Sequence, residues 1–130
     1  MSALDQPHAA WVAKAEADLL NIDNNLAAQD VPWDTVCFHA QQAAEKFLKA
    51  FLVARGEKPP RTHDLVALLG RCADHDGELQ ALADDCQRPT AYAVGARCPL
   101  DLSGSLDEDD GRAMNAAARK VRKAILARLP

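Results

Sequence analysis

Trp11, Ala15, Leu19, Ile22 and Leu26 recur at steps of three and four, which predicts a helix over about Pro7 to Gln29 with one apolar face. Pro7 suits its opening turn, where a missing N–H costs nothing. Asp30-Val31-Pro32 breaks the period. Val36, Ala40, Ala43, Phe47, Phe51 and Ala54 then form the stripe of a second helix, from Trp33 to Arg55, which Gly56 ends. Two prolines in Glu57-Lys58-Pro59-Pro60-Arg61 bar helix. Thr62 is placed to cap a third helix, His63 to Cys72, with Leu65, Leu68 and Leu69 inward. Asp74-His75-Asp76-Gly77 reads as a turn. A fourth helix holds Leu79, Leu82, Ala83 and Cys86 and fades near Arg88-Pro89, with Pro89 and Gly95 bracketing any continuation from Tyr92 to Arg97. After a loop from Cys98 to Gly104, Ser105 and Glu108 carry the spacing of a capping box. The last helix opens with Asp107-Glu108-Asp109-Asp110 and closes with Arg119, Lys120, Arg122, Lys123 and Arg128, which complements its dipole. No segment alternates as a strand and no boundary divides the chain. The pattern predicts an all-α fold in one domain over residues 1–130: an antiparallel, up-and-down bundle of four principal helices with room for a short fifth.

Composition agrees. The 130 residues are 48% hydrophobic, mostly Ala and Leu, and only 5% aromatic, a mixture that favours helix over strand. The formal net charge of −4 excludes a globally basic nucleic-acid binder but leaves room for a local basic patch. No run approaches the roughly 20 apolar residues that span a bilayer, and the first seven residues lack the pattern of a secretory signal. Cys37, Cys72, Cys86 and Cys98 contain no Cys-x-x-Cys pair, so reduced, mostly buried thiols in the cytoplasm are expected, with neither metal nor cofactor.

The densest chemistry lies on the second helix. At 100° per residue His39, Gln42, Lys46 and Lys49 fall in one narrow arc, roughly opposite the apolar stripe. An imidazole, an amide and two ammonium groups on one surface suit a phosphate or a base edge; the other reading is the solvated polar face that every amphipathic helix needs. His63-Asp64 reads either as a base with an orienting carboxylate or as the charged start of a helix. Tyr92 and Arg97 suit base stacking and phosphate binding, or packing of a helix end. Arg112, Arg119 and Lys123 share one face of the last helix, with Met114, Val121 and Ile125 on the other. No phosphate loop, dinucleotide fingerprint or framed nucleophile is present.

Four ordered elements carry a family resemblance over about residues 9 to 127. They are Ala15-Glu16-Ala17-Asp18-Leu19, the Gln41-Gln42-Ala43-Ala44-Glu45-Lys46 core within Cys37 to Ala50, Thr62-His63-Asp64-Leu65, and Tyr92 with Arg97-Cys98-Pro99. The chain resembles prokaryotic HEPN-domain proteins, the higher-eukaryote and prokaryote nucleotide-binding helical family. The resemblance implies a helical bundle that dimerises, paired with a minimal nucleotidyltransferase in a toxin–antitoxin arrangement. In such pairs the helical protein is often a ribonuclease whose Arg and His are separated by four to six residues. Here Arg71 and His75 are separated by three and Arg55 and His63 by seven, and no His follows Arg97-Cys98-Pro99. The expectation is therefore a non-catalytic module: a cytoplasmic homodimer with no membrane association, holding a nucleotide or RNA phosphate near His39, Gln42, Lys46, Lys49, His63, Asp64, Tyr92 and Arg97, a nucleotidyltransferase, or both. Alternatives are a ribonuclease toxin with a degenerate motif and a purely structural dimerisation scaffold.

Overall fold

A computed structural model describes residues 7–87 and 106–130, and every described regular element is helical. Helix α1 spans Pro7–Leu26, α2 Trp33–Ala54 and α3 Leu65–His75. A 3-10 turn, Gly77–Leu82, leads into helical residues 83–87, and α4 spans Glu108–Leu126. Tyr92 and Arg97, the loop from Cys98 to Gly104 and the room for a fifth helix lie outside the described residues.

The helix ends follow from local chemistry, in places not where the spacing put them. α1 stops three residues short of Gln29, and α2 stops at Ala54. Behind it, Glu57 N–H donates to Leu52 O and Gly56 N–H to Val53 O, the paired bonds of a Schellman motif. The motif needs a left-handed residue, which Gly56 supplies at φ +84°. Thr62 does not cap α3. Asp64 does, accepting from Val66 and Ala67 N–H, because its carboxylate reaches the first orphan amides while Thr62 Oγ1 accepts from Asp64 N–H instead. His75 belongs to α3 rather than to a turn, and the segment with Leu79 and Leu82 is 3-10 before it becomes helix, capped by Asp76 accepting from Glu78 N–H. The capping box of α4 is Asp107 with Asp110, each carboxylate accepting the other's backbone N–H, while Ser105, which the spacing pairs with Glu108, lies outside the described residues.

α2 is the central element, packed against α1, α3 and α4. Trp11 of α1 meets Lys49, while Asp18 meets His39 and Lys46, so α1 and α2 are antiparallel. Trp33 at the start of α2 meets Gly111 at the start of α4. At the far end Arg128 bonds Asp76 and Glu78, so α4 runs parallel to α2. Buried side chains from every described helix form one cluster around Phe47, Leu48, Phe51 and Leu52. Each of these contributes about 1.5–3 kcal/mol by leaving water. The one-sided stripe expected for α2 is corrected by this packing. From Ala43 to Leu52 every residue but Lys46 is buried, Glu45 and Lys49 included. On the basic face of α4, Arg119 holds Asp23 and Arg112 holds Glu108 while lying over Trp33; beside that face Arg122 holds Glu16. Cys37, Cys72 and Cys86 are buried thiols, pushed up to about 12 mainly by desolvation. Among the described residues no helix is long and apolar enough to cross a membrane, and no group of three or more His, Cys, Asp and Glu is placed to hold a metal ion.

Two glycines give opposite predictions. A Cβ on Gly111 falls 2.5 Å from Trp33 Cε3, so Gly111→Ala is expected to cost about 1–3 kcal/mol. A Cβ on Gly70, within α3, meets nothing within 4 Å, so Gly70→Ala is expected to stabilise by about 0.5–1 kcal/mol. Urea unfolding midpoints moving in the same direction would contradict this packing.

Candidate functional site

The arc of α2 forms, but not as a solvated face. α1 and the segment leading into α3 close on it from both sides, and each brings or meets a buried carboxylate. Asp18 projects from α1 at 7% exposure. Its Oδ1 lies 2.8 Å from His39 Nδ1 and its Oδ2 accepts from Lys46 Nζ at 2.6 Å. On the other flank Glu45, at 4% exposure, takes His63 Nδ1 at 2.7 Å and Lys49 Nζ at 3.2 Å. Lys49 is itself 6% exposed, so this is a buried ion pair along one helical turn. Gln41 Nε2 donates to the His63 carbonyl and Gln42 Nε2 to Gln41 Oε1, which ties the entry to α3 onto α2.

The chemistry of the two flanks is the same. A carboxylate only accepts, so an imidazole Nδ1 facing it is the donor, and the neutral ring leaves Nε2 as an acceptor. Each ammonium has three hydrogens and gives one to its carboxylate. The side chains of His39 and Lys46 remain about one-fifth exposed, and that of His63 is 56% exposed. The arrangement offers outward-facing hydrogen-bonding atoms held in place by buried charges, rather than free positive charge.

Of the residues proposed from the sequence, His39, Gln42, Lys46, Lys49 and His63 are thus gathered along one side of α2. Asp64 is not part of the group: its carboxylate caps α3, and the orienting carboxylate on His63 is Glu45. Asp18, Glu45 and Gln41 were missed as members. Asp18 had a signal, since it sits three residues after Ala15 and four before Ile22, within the apolar stripe of α1. Trp11 was placed in that stripe, yet it is only half-buried, with Lys14 and Lys49 Nζ at 5.9 and 5.6 Å from its ring centroid.

A third carboxylate repeats the pattern at the end of α2. Glu57 accepts from Arg71 at 2.7 Å and also holds His75 Nε2. These bonds, Arg71 first and His75 second, hold the Glu57 carboxyl below its ordinary range. Arg128, then the Glu78 amide, do the same for Asp76. A shallow groove of about 290 Å³ lies elsewhere, between residues 84–85 and α4, floored by Ala113, Ala116 and Ala117, with Lys120 3.6 Å from Asp85.

Comparison with known proteins gives one match: the HEPN domain family model matches residues 8–129. No curated protein and no solved structure matches the chain.

Two stability predictions follow from the partners. Glu45→Gln leaves the buried Lys49 charge uncompensated and is expected to cost about 3–5 kcal/mol, much of it recovered in the Glu45→Gln/Lys49→Met double variant. Chemical unfolding of the singles and the double checks it; strict additivity would refute the pairing. For Glu57 and Asp76, a lowered folded-state pKa means stabilisation present above their ordinary values of 4.5 and 3.8 and lost as pH falls through the folded ones. Glu57→Gln is expected to flatten that acid limb in thermal unfolding measured across pH, lowering the midpoint at neutral pH and leaving it nearly unchanged in acid.

Proposed function

The chain belongs to the HEPN domain family, and from that premise we propose that it is a non-catalytic binding module. It holds a nucleotide or an RNA phosphate along the outer side of α2 and works beside a minimal nucleotidyltransferase, in the manner of a toxin–antitoxin pair. The module is a single all-α domain over residues 1–130, cytoplasmic and homodimeric. One observation carries the ligand reading. Two buried carboxylates, Asp18 and Glu45, each fix one imidazole by Nδ1 and one lysine, while the side chains of His39, Lys46 and His63 stay partly exposed. Burying charge is costly, and a helix that needed only a polar face would leave these groups in water.

A ribonuclease reading draws on Arg71 and His75, one turn apart on α3. Both converge on Glu57, so the guanidinium and the imidazole already have an anionic partner, and the binding reading is favoured.

Calorimetric titration of the chain with nucleoside monophosphates, alone and with its transferase partner, tests the proposal. Measurable heat is expected, with affinity reduced about tenfold by Lys46→Ala, a loss of the size of one charge-assisted hydrogen bond. Silence in both settings would remove the ligand reading. Expressed alone, the chain is expected to leave cellular RNA intact. RNA breakdown that vanishes with His39→Ala, His63→Ala or His75→Ala would restore the ribonuclease.

A further inference from the structure

The part of a ligand that the α2 face grips best is decided by what its own carboxylates leave over. Lys46 and Lys49 each lie on a buried carboxylate, so the charge a phosphate would seek is largely offset before any ligand arrives. An aromatic surface is offset by nothing. Trp11 stands on the α1 side of this face and stays half-buried, although Ala15, Leu19 and Ile22 below it on the same helix are buried. Lys49 joins the two sides. It lies 5.6 Å from the Trp11 ring centroid and 3.2 Å from Glu45, whose other oxygen holds His63 at 2.7 Å. The indole and the exposed imidazole therefore flank one buried ion pair. His63 is held at two points, by Glu45 at Nδ1 and by Gln41 at its carbonyl, so the neutral ring presents Nε2 as an acceptor in a set position. Lys14, the other ammonium near the indole, is exposed and has no carboxylate partner among the described residues, so a planar group displaces it at little cost.

We infer that the ligand of this face carries a heteroaromatic base with a ribose, the base stacked on Trp11 in place of the Lys14 ammonium and a ribose hydroxyl donating to His63 Nε2. The inference rests on the α2 face being the ligand site. Stacking is indifferent to which base is presented, so Trp11 gives affinity for nucleosides as a class. A bare phosphate gains nothing from it.

The full chain titrated with AMP, ribose 5-phosphate and inorganic phosphate, read by the indole N–H signals in two-dimensional NMR, tests this. The two tryptophans serve as probe and reference, because Trp33 packs on Gly111 at the far end of α2. AMP is expected to move the Trp11 signal and not that of Trp33, and to bind at least about tenfold more tightly than ribose 5-phosphate. Trp11→Ala is expected to abolish that ratio while leaving ribose 5-phosphate binding where it was. Trp11→Phe, which keeps a ring, is expected to retain most of it, which separates lost stacking from lost folding. Equal affinities for AMP and ribose 5-phosphate, or AMP binding that leaves the Trp11 signal in place, overturn the stacking role while the face survives as an anion site. No binding of any of the three at millimolar concentration overturns the ligand site itself, and the inference with it. A single-stranded oligoribonucleotide binding more tightly than AMP assigns the base to RNA; weaker binding assigns it to a free nucleotide.

Discussion

Helix α2 has almost no face of its own. Its second half is enclosed by α1, α3 and α4, so polar groups there find partners inside the protein or bear the full cost of desolvation. That cost is several kcal/mol for each ion, which two apolar residues of like size would avoid. The chain nevertheless places Glu45 and Lys49 one turn apart in this interior. Once they are there, much else is determined. Glu45 has a second oxygen to satisfy and recruits His63, and Gln41 holds the carbonyl of the same residue. The segment after two prolines, which has no regular structure, is thereby anchored to α2 just before α3 begins.

The same logic acts on the other flank and at the helix end. Asp18, Glu45 and Glu57 each hold one histidine and one full cation. An imidazole beside a carboxylate and an ammonium completes the bonding without adding a second obligatory charge, so each group stays near neutrality when the ring is neutral. The positive arc that the sequence suggests is for this reason not a field that attracts anions from a distance. It is a row of directional groups, which favours a ligand recognised by shape and hydrogen bonding over one recognised by charge alone. Family membership and this local chemistry then address different questions. The first gives a helical module; the second limits what such a module can hold on this surface.

What was legible in the sequence is what one helix decides by itself. Pro7 at the start of α1, Gly56 behind α2, and Leu65, Leu68 and Leu69 on the inner face of α3 follow from torsional freedom and period. Caps were less legible, because neighbouring residues compete: Thr62 and Asp64 can each cap a helix starting near Leu65, and Ser105 and Asp107 each stand ahead of a carboxylate at the right distance. An aspartate caps each helix, as expected for a helix N-terminus that carries partial positive charge. The buried half of α2 was not legible, since a period-based stripe assumes solvent on the opposite side of the helix. Nor was the pairing. Asp18 lies 21 residues from His39 and 28 from Lys46, and no local pattern links groups so far apart.

Catalysis and positioning make different demands on such groups. Metal-independent cleavage of RNA needs an imidazole beside the 2′-hydroxyl and a cation on the phosphate, both released from other partners at the moment of reaction. Arg71 and His75 come nearest to that pair in sequence, but in the folded chain Glu57 accepts from the guanidinium and holds His75 Nε2. Using them together would mean breaking the contacts that attach α3 to the end of α2. His39 and His63 differ, because the nitrogen that faces their carboxylate is Nδ1, and both side chains stay partly exposed. Those two rings can meet a ligand without any internal contact being given up. A binding surface on α2 is therefore compatible with the fold as it stands, whereas a reaction centre on α3 would compete with it.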